Sequence, residues 1–472
     1  MARHLYILGI GGTLMGSLAL LARQAGYSVS GSDQALYPPM SDQLAAADIE
    51  LYEGFDAAHL DPAPDLILVG NAGLPRGNPA VEAVLNSGLP YTSGAEWLGR
   101  EILQGRWVLA VSGTHGKTTT ASMLAWILDQ ADLDPGFMIG GVPANFGLSA
   151  RMGSSPFFVV EADEYDTSYF DRRAKFVHYR PRTLLINNLE YDHADIYPDL
   201  AAIQYQFHLL LRSVPGQGLI VAPDQDDAVQ QVLQQGCWTP VSRIQTNPRR
   251  QRRQAAQDAS GDSWQAALQA SDGTRFDVVL NGVVQGQVQW DVLGLHNVQN
   301  ALGALAAARH AGVDVKQGIA ALAGFRGVAR RMELLHDADF LRVYDDFAHH
   351  PTAIRSTLQG LRAAVGSEDI IAVIEPRSHT MSLGTLQDDL RNCTSAADQV
   401  IWYRGDNIKW DLGALAQKSL VPATVEDNLD RLLQRLLELR SDSGRQHLVF
   451  MSNGGFGGIQ RRFVAALNST GN

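Results

Sequence analysis

The sequence predicts an α/β protein of three domains, each built on a largely parallel sheet. Three observations carry that prediction. Short apolar runs alternate with helix-like stretches along the chain, which is how strands joined by crossover helices read. The alternation restarts twice, at residues 106 and 326. The length of 472 residues also exceeds what one hydrophobic core serves, since domains run to roughly 150 residues. A hydrophobic share of 45% against 19% charged residues supplies enough apolar surface for such cores and excludes a disordered chain.

Residues 1–105 read as a Rossmann-like unit. An apolar run at 5–9 enters the turn Gly9-Ile10-Gly11-Gly12-Thr13, helix-like residues 16–27 follow, and a second strand at 28–31 closes on Asp33. A strand at 65–69 and a helix at 78–85 continue the alternation. Residues 106–325 read as a central domain of P-loop ATPase type with a parallel sheet. Its first strand, WVLAV, runs into SGTHGKTTT and an apolar-periodic helix, and buried strands are expected at 157–160, 183–186 and 218–222. The polar stretch 248–262 contains RRQRR but no interleaved aromatic residue, so it reads as a solvated loop. Strands at 276–280 and 288–292 suggest an antiparallel pair, and Ala-rich residues 297–312 a helix ending in Gly. Residues 326–472 form a third, Rossmann-like unit. There, strands at 341–344, 370–374, 399–403 and 447–451 alternate with helices at 352–365, 386–392, 426–440 and from 457.

With 38 Lys and Arg against 50 Asp and Glu, the formal charge is −12. Such a chain repels a polyanion, and nucleic acid is not expected as a partner. Two cysteines, Cys237 and Cys393, are too few for a disulfide framework, which fits a reducing compartment. No run reaches about 18 uninterrupted apolar residues, and the start MARHLYILGIGG enters a turn too early for a signal peptide. No membrane partner and a cytoplasmic location are therefore expected.

The most specific local feature is Gly113-Thr114-His115-Gly116-Lys117-Thr118-Thr119. A Gly-rich turn between strand and helix aims backbone N–H groups at phosphate, a lysine there neutralises the β/γ-phosphates, and the following hydroxyl can ligate Mg²⁺. Gly113 stands only three residues before Gly116, so the loop is shorter than the strict P-loop. Glu161 follows the next strand, beside Asp163 and Glu164, and offers the hard oxygen that Mg²⁺ requires. His193 follows the strand after that and is a possible nitrogen ligand. The N-terminal turn with Asp33 about twenty residues on would suit a dinucleotide. A nucleotide-sugar diphosphate suits it equally, because a helix N-terminus recognises phosphate and not nicotinamide.

In order along the chain, GTHGKTTT, VEADEYD, NNLEYDHAD, GLHNVQNA, GVARRME and DDFAHHP together resemble the Mur ligases, the ATP-dependent amide-forming enzymes of peptidoglycan assembly. The stretches SDQALYPPMSDQL, GNAGLPRGNP, EPRSHTM and MSNGGFGGI are similar to the branch that attaches a whole tripeptide. The resemblance implies an amide bond between the lactyl carboxylate of UDP-N-acetylmuramate and L-alanyl-γ-D-glutamyl-meso-diaminopimelate, formed through an acyl phosphate in peptidoglycan recycling. The branch that adds free L-alanine is the nearest alternative and differs around EPRSHTM and the SNGGFGGI tail.

ATP and Mg²⁺ are the implied cofactors. The resemblance implies the loop Gly113 to Thr119 on the nucleotide, with Thr118, Glu161 and His193 on the metal. It places Asn297 and Asn300 near the adenine, Arg331 near the phosphates and Asp346 near the ribose or the catalytic cleft, with Lys117, Glu161, His193 and Asp346 as the catalytic set. Gly9, Gly11, Gly12, Thr13, Met15 and Asp33, with His350 and Arg377 from the third domain, are the expected substrate contacts.

Overall fold

The computed structural model describes residues 2–36, 40–71, 74–245, 261–338, 340–439 and 444–470. All but the last two residues of the polar stretch 248–262 lie outside them. Among the described residues the fold is α/β with three main sheets.

The first sheet runs in the order Glu50–Glu53, Ser28–Asp33, His4–Leu8, Leu66–Val69, Tyr91–Ser93, all parallel. The central strand His4–Leu8 has neighbours reached in opposite directions along the sheet, and a crevice opens at its carboxyl end. The turn from Gly9 lies there and leads into the helix Thr13–Gln24.

Among the described residues the central sheet has ten strands. Trp107–Ser112 lies between Thr183–Ile186 and Phe157–Glu161, parallel to both. The carboxyl ends of all three strands therefore deliver Gly113, Glu161 and Asn187 to one edge. The helices Lys117–Gln130 and Leu295–His310 cover the middle of one face of this sheet, with Val315–Leu322 beside them on its edge strand. The second buries Ala301, Ala304, Ala307 and Ala308, and these small side chains let it pack closely on the first. Its amino-terminal Asn297 and Asn300 thereby come to the Gly-rich loop.

The antiparallel pair falls at Arg275–Leu280 and Val283–Gln289, not at 288–292 as the apolar pattern suggested. Asn281 and Gly282 have φ of 50° and 80°, the positive pair that a two-residue hairpin turn needs. Leu280 pairs with Val283 across it. The second strand lies at the sheet edge and is largely exposed, so hydrophobicity marked it poorly.

The third sheet runs Glu333–Ala338, Leu341–Asp346, Gln446–Met451, Asp369–Ile374, Gln399–Tyr403, Ala423–Glu426, parallel except for the first pair. The helix expected at 426–440 is Leu429–Glu438, capped by Asn428, because Glu426 still belongs to the edge strand. Both cysteines are free thiols. Among the described residues no helix is long and apolar enough to cross a membrane.

Candidate active site

A cavity of about 1400 Å³ opens where the carboxyl edges of the three sheets face one another. Thr13, Leu14 and Ser17 line it from the first sheet's helix, residues 114–119 from the central loop, and Asp346 to His349 with Asn453 from the third sheet.

The central loop is built on two glycines and two asparagines. Gly113 and Gly116 have φ of 123° and 80°, which side chains rarely tolerate. A Cβ on Gly113 would lie 2.9 Å from the Asn188 carbonyl oxygen, and one on Gly116 2.6 Å from Asn300 Oδ1. The amides of Thr114 and His115 donate to the Asn188 carbonyl and to Asn188 Oδ1, at 3.3 and 2.8 Å. The Asn187 amide group donates to the His115 carbonyl and to Thr120 Oγ1. Thr114 and His115 thus spend their N–H groups on the protein. The first turn of the helix Lys117–Gln130 presents amides with no intrahelical partner.

Lys117 reaches back into a carboxylate cluster: Nζ lies 2.8 Å from Glu164 Oε2 and 3.5 Å from Asp163 Oδ1. Burial works against its charge, but Glu164, Asp163 and Glu161 together hold the ammonium above the ordinary lysine range. Burial pushes the Glu161 carboxyl up, against Lys117, the Gly140 amide and Arg331. Glu161 accepts from Gly140 N at 2.6 Å and from Thr118 Oγ1 at 3.1 Å. Arg331 also donates to Thr118 Oγ1, at 3.2 Å.

The three expected metal ligands do not form one group. Thr118 and Glu161 are adjacent, whereas His193 Nε2 lies 3.3 Å from Glu164 Oε1. His193 instead converges with Asp163 and Glu164, in an arrangement able to hold a metal ion. Burial disfavours its charge, yet the hydrogen bond and charge of Glu164, with Asp192 and Asp163, push it up to about 9. Glu164 is 1% exposed and joins Lys117 to His193. The pattern of three acids did not tell which one would turn inward.

Asn300 donates to Asn297 Oδ1 and braces Gly116, and both asparagines line the cavity. Asp346 accepts from the amides of Met332 and Ala348, both at 2.8 Å. It thereby holds the turn in which Arg330 and Met332 take positive φ and Arg331 points to the cavity. Burial pushes the Asp346 carboxyl up, opposed by Arg331 and those two amides.

In the first domain, Gly9 N donates to the Ser32 carbonyl and Gly12 N to the Gly9 carbonyl. The Asp33 carboxylate accepts from Gly11 N at 2.8 Å and from Gln34 N at 2.7 Å, so it clamps the turn. Met15 is 5% exposed and packs into the core against Gly70 and Gly94, away from the cavity. His350 caps the helix Pro351–Val365 and lies outside the cavity lining. Arg377 is exposed, its guanidinium lying over Gly454, where a Cβ would overlap it. Lys175, Glu190 and His296 line the cavity without having been expected there. Glu190 and His296 stand inside the runs NNLEYDHAD and GLHNVQNA, whereas Lys175 lies outside every quoted motif.

Three family models cover this architecture. The Mur ligase catalytic domain matches residues 4–106, the Mur ligase middle domain 111–308 and the Mur ligase glutamate ligase domain 330–454. Identity is 49% with UDP-N-acetylmuramate–L-alanyl-γ-D-glutamyl-meso-2,6-diaminoheptandioate ligase of Escherichia coli, over 98% of each chain. The chain is a Mur ligase. As a member of that family it is an ATP-dependent amide ligase. A murein peptide ligase structure from Psychrobacter arcticus shares 44% identity with this Mur ligase at a TM-score of 0.76, covering 99% of both chains. A UDP-N-acetylmuramate–L-alanine ligase of Symbiobacterium thermophilum is 34% identical over 85% of this chain and 80% of its own.

Proposed function

We infer that this chain is the ligase that joins the lactyl carboxylate of UDP-N-acetylmuramate to the alanine amine of L-alanyl-γ-D-glutamyl-meso-diaminopimelate, by way of an acyl phosphate, in peptidoglycan recycling. The observation that carries it is the 49% identity, sustained along 98% of the chain, with the tripeptide-adding enzyme, against 34% over 85% for the alanine-adding one. The cavity walled by all three sheets suits a reaction of three substrates. A sugar nucleotide and ATP as substrates go with a cytoplasmic location.

A carboxylate is a poor electrophile, and phosphorylating its oxygen creates a leaving group that an amine can displace. Lys117 would offset charge on the transferring phosphoryl group, since its carboxylate neighbours keep it cationic at the mouth of the loop. The first helical turn behind Gly116, with Thr118 and Thr119, would take the phosphates. Thr118 and Glu161 fit Mg²⁺, as two hard oxygens 3.1 Å apart at the loop. When bound, that ion would neutralise phosphate oxygens. Arg331 would face the same phosphates with Asp346 as its support, and Asn297 and Asn300 the nucleoside side. Thr13 and the turn Gly9, Gly11, Gly12 would receive the sugar-nucleotide diphosphate, with Asp33 holding the turn. Arg377 is the candidate contact for the peptide.

The test offers tripeptide and free L-alanine in parallel, with UDP-N-acetylmuramate, ATP and Mg²⁺, and reads phosphate and product mass. Tripeptide product is expected. Product with alanine alone would move the reading to the alanine-adding branch, and no phosphate with either amine would end it.

A further inference from the structure

The loop that follows the strand Thr183–Ile186 touches both the phosphate loop and the third domain. On one side, the Glu190 amide donates to Thr114 Oγ1 at 2.8 Å and the Thr114 amide to the Asn188 carbonyl at 3.3 Å. On the other, two separate contacts reach the third domain. Thr380 Oγ1 donates to Asp192 Oδ1 at 2.7 Å and accepts from the Ala194 amide at 3.2 Å. Glu190 Oε2 lies 3.2 Å from His115 Nε2, and the Glu190 carboxylate accepts from the side chain of Thr352 in the first turn of the helix Pro351–Val365, beside His350, whose Nδ1 accepts the Thr352 amide. The two imidazole rings lie 4.6 Å apart.

Thr380 and Asp192 are 1% and 5% exposed. Their hydrogen bond is therefore shielded from water, where a charge-assisted bond is strongest. Residues after His350, from Thr352 on, and the sheet edge bearing Asp346 to His349 line the same cavity as the phosphate loop. Thr380 and Glu190 thus join that part of the third domain to the loop, and of the two only Glu190 lines the cavity.

We propose that Thr380 and Glu190 are positioning residues that seat the third domain on the loop 187–195, so that the activated carboxyl meets the amine and not water. This rests on the ligase reading. In the sealed site the amine nitrogen bonds to the acyl carbon, phosphate leaves with the C–O electron pair, and the nitrogen loses a proton. In a loosened site a water oxygen takes the amine's place, regenerating the carboxylic acid and releasing phosphate. The net result of that leak is ATP and water converted to ADP and phosphate, with no amide.

Thr380→Val removes the hydroxyl at nearly constant volume. Losing a hydrogen bond to a carboxylate shifts the closed–open balance roughly tenfold, so the phosphate released without amide should rise by up to about tenfold over the wild type. Thr380→Ser should restore a ratio of phosphate to amide near one, and Glu190→Gln should raise it independently. A merely structural defect would lower phosphate and amide together and leave the ratio at one. A ratio of one in both Thr380→Val and Glu190→Gln, with the wild type active, overturns the proposal alone. Wild-type protein that releases no phosphate with the full substrate set overturns the ligase reading beneath it.

Discussion

Replacing Lys117 by Met removes a cation shared by a buried carboxylate and a half-buried one. Glu164 is 1% exposed, with Nζ 2.8 Å from its Oε2, and Asp163 is the second partner at 3.5 Å. After the substitution Glu164 keeps only His193 and Asp163 keeps Lys175. The cost should fall at the low end of the range for halving a buried ion pair, about 3 kcal/mol. In a domain of this size that is a loss of roughly 6–12 °C in Tm. Turnover should fall on the order of a thousandfold, the scale of losing one charge-stabilising donor in a transition state. Binding of the sugar nucleotide should persist, because the first-domain turn is built separately.

The double variant Lys117→Met with Glu164→Gln separates the two effects. Without the orphaned carboxylate it should regain most of the lost Tm while turnover stays lost. Thermal unfolding followed by fluorescence and phosphate release from ATP read the two outcomes. A single variant that melts with the wild type, or a double variant that regains turnover, would refute the account of Lys117 as a cation shared between structure and chemistry.

Gly116→Ala should raise KM for ATP roughly thirtyfold, the effect of about 2 kcal/mol from a side chain in left-handed backbone that also meets Asn300. Steady-state kinetics across ATP concentrations check this, and an unchanged KM would count against the loop. Glu161→Gln should raise the Mg²⁺ needed for half-maximal activity on the order of tenfold, and an identical metal titration would remove Glu161 as a ligand. Burial depresses His296 to about 4 from 6.5, so on acidification the unfolded chain takes up its proton first. Stability is whole above pH 6.5 and falls by about 3 kcal/mol as the pH drops towards 4. Denaturant midpoints at neutral and acid pH should show a shallower acid loss in His296→Gln, and a slope equal to the wild type's would contradict this.

Much of the site was legible because parallel sheets present catalytic residues at strand carboxyl ends. An apolar run followed at once by Gly113, Glu161 or Asn187 therefore marks the edge in the sequence itself. Less legible was the direction of each side chain. Met15 sits in a turn-to-helix sequence that suggested a ligand contact, yet it faces inward because the helix is buried along most of its length. Asp33 stands where a ribose contact would, and each of its oxygens also accepts one amide of the turn, Gly11 or Gln34. The hairpin at Asn281-Gly282 was signalled by its turn residues rather than by the hydrophobic pattern, since an edge strand needs little apolar surface.

By itself, then, the amino-acid order determined the three α/β units, the Gly-rich loop between strand and helix and the family, because these depend on local periodicity and on short runs whose geometry closes within a few residues. Tertiary structure alone decided that Glu164 joins Lys117 to His193, that Asp346 supports Arg331, and that Thr380 reaches Asp192 from the third domain. Those pairs lie as many as 188 residues apart. Their meeting follows from how whole sheets pack around one cavity, and no local pattern encodes that distance.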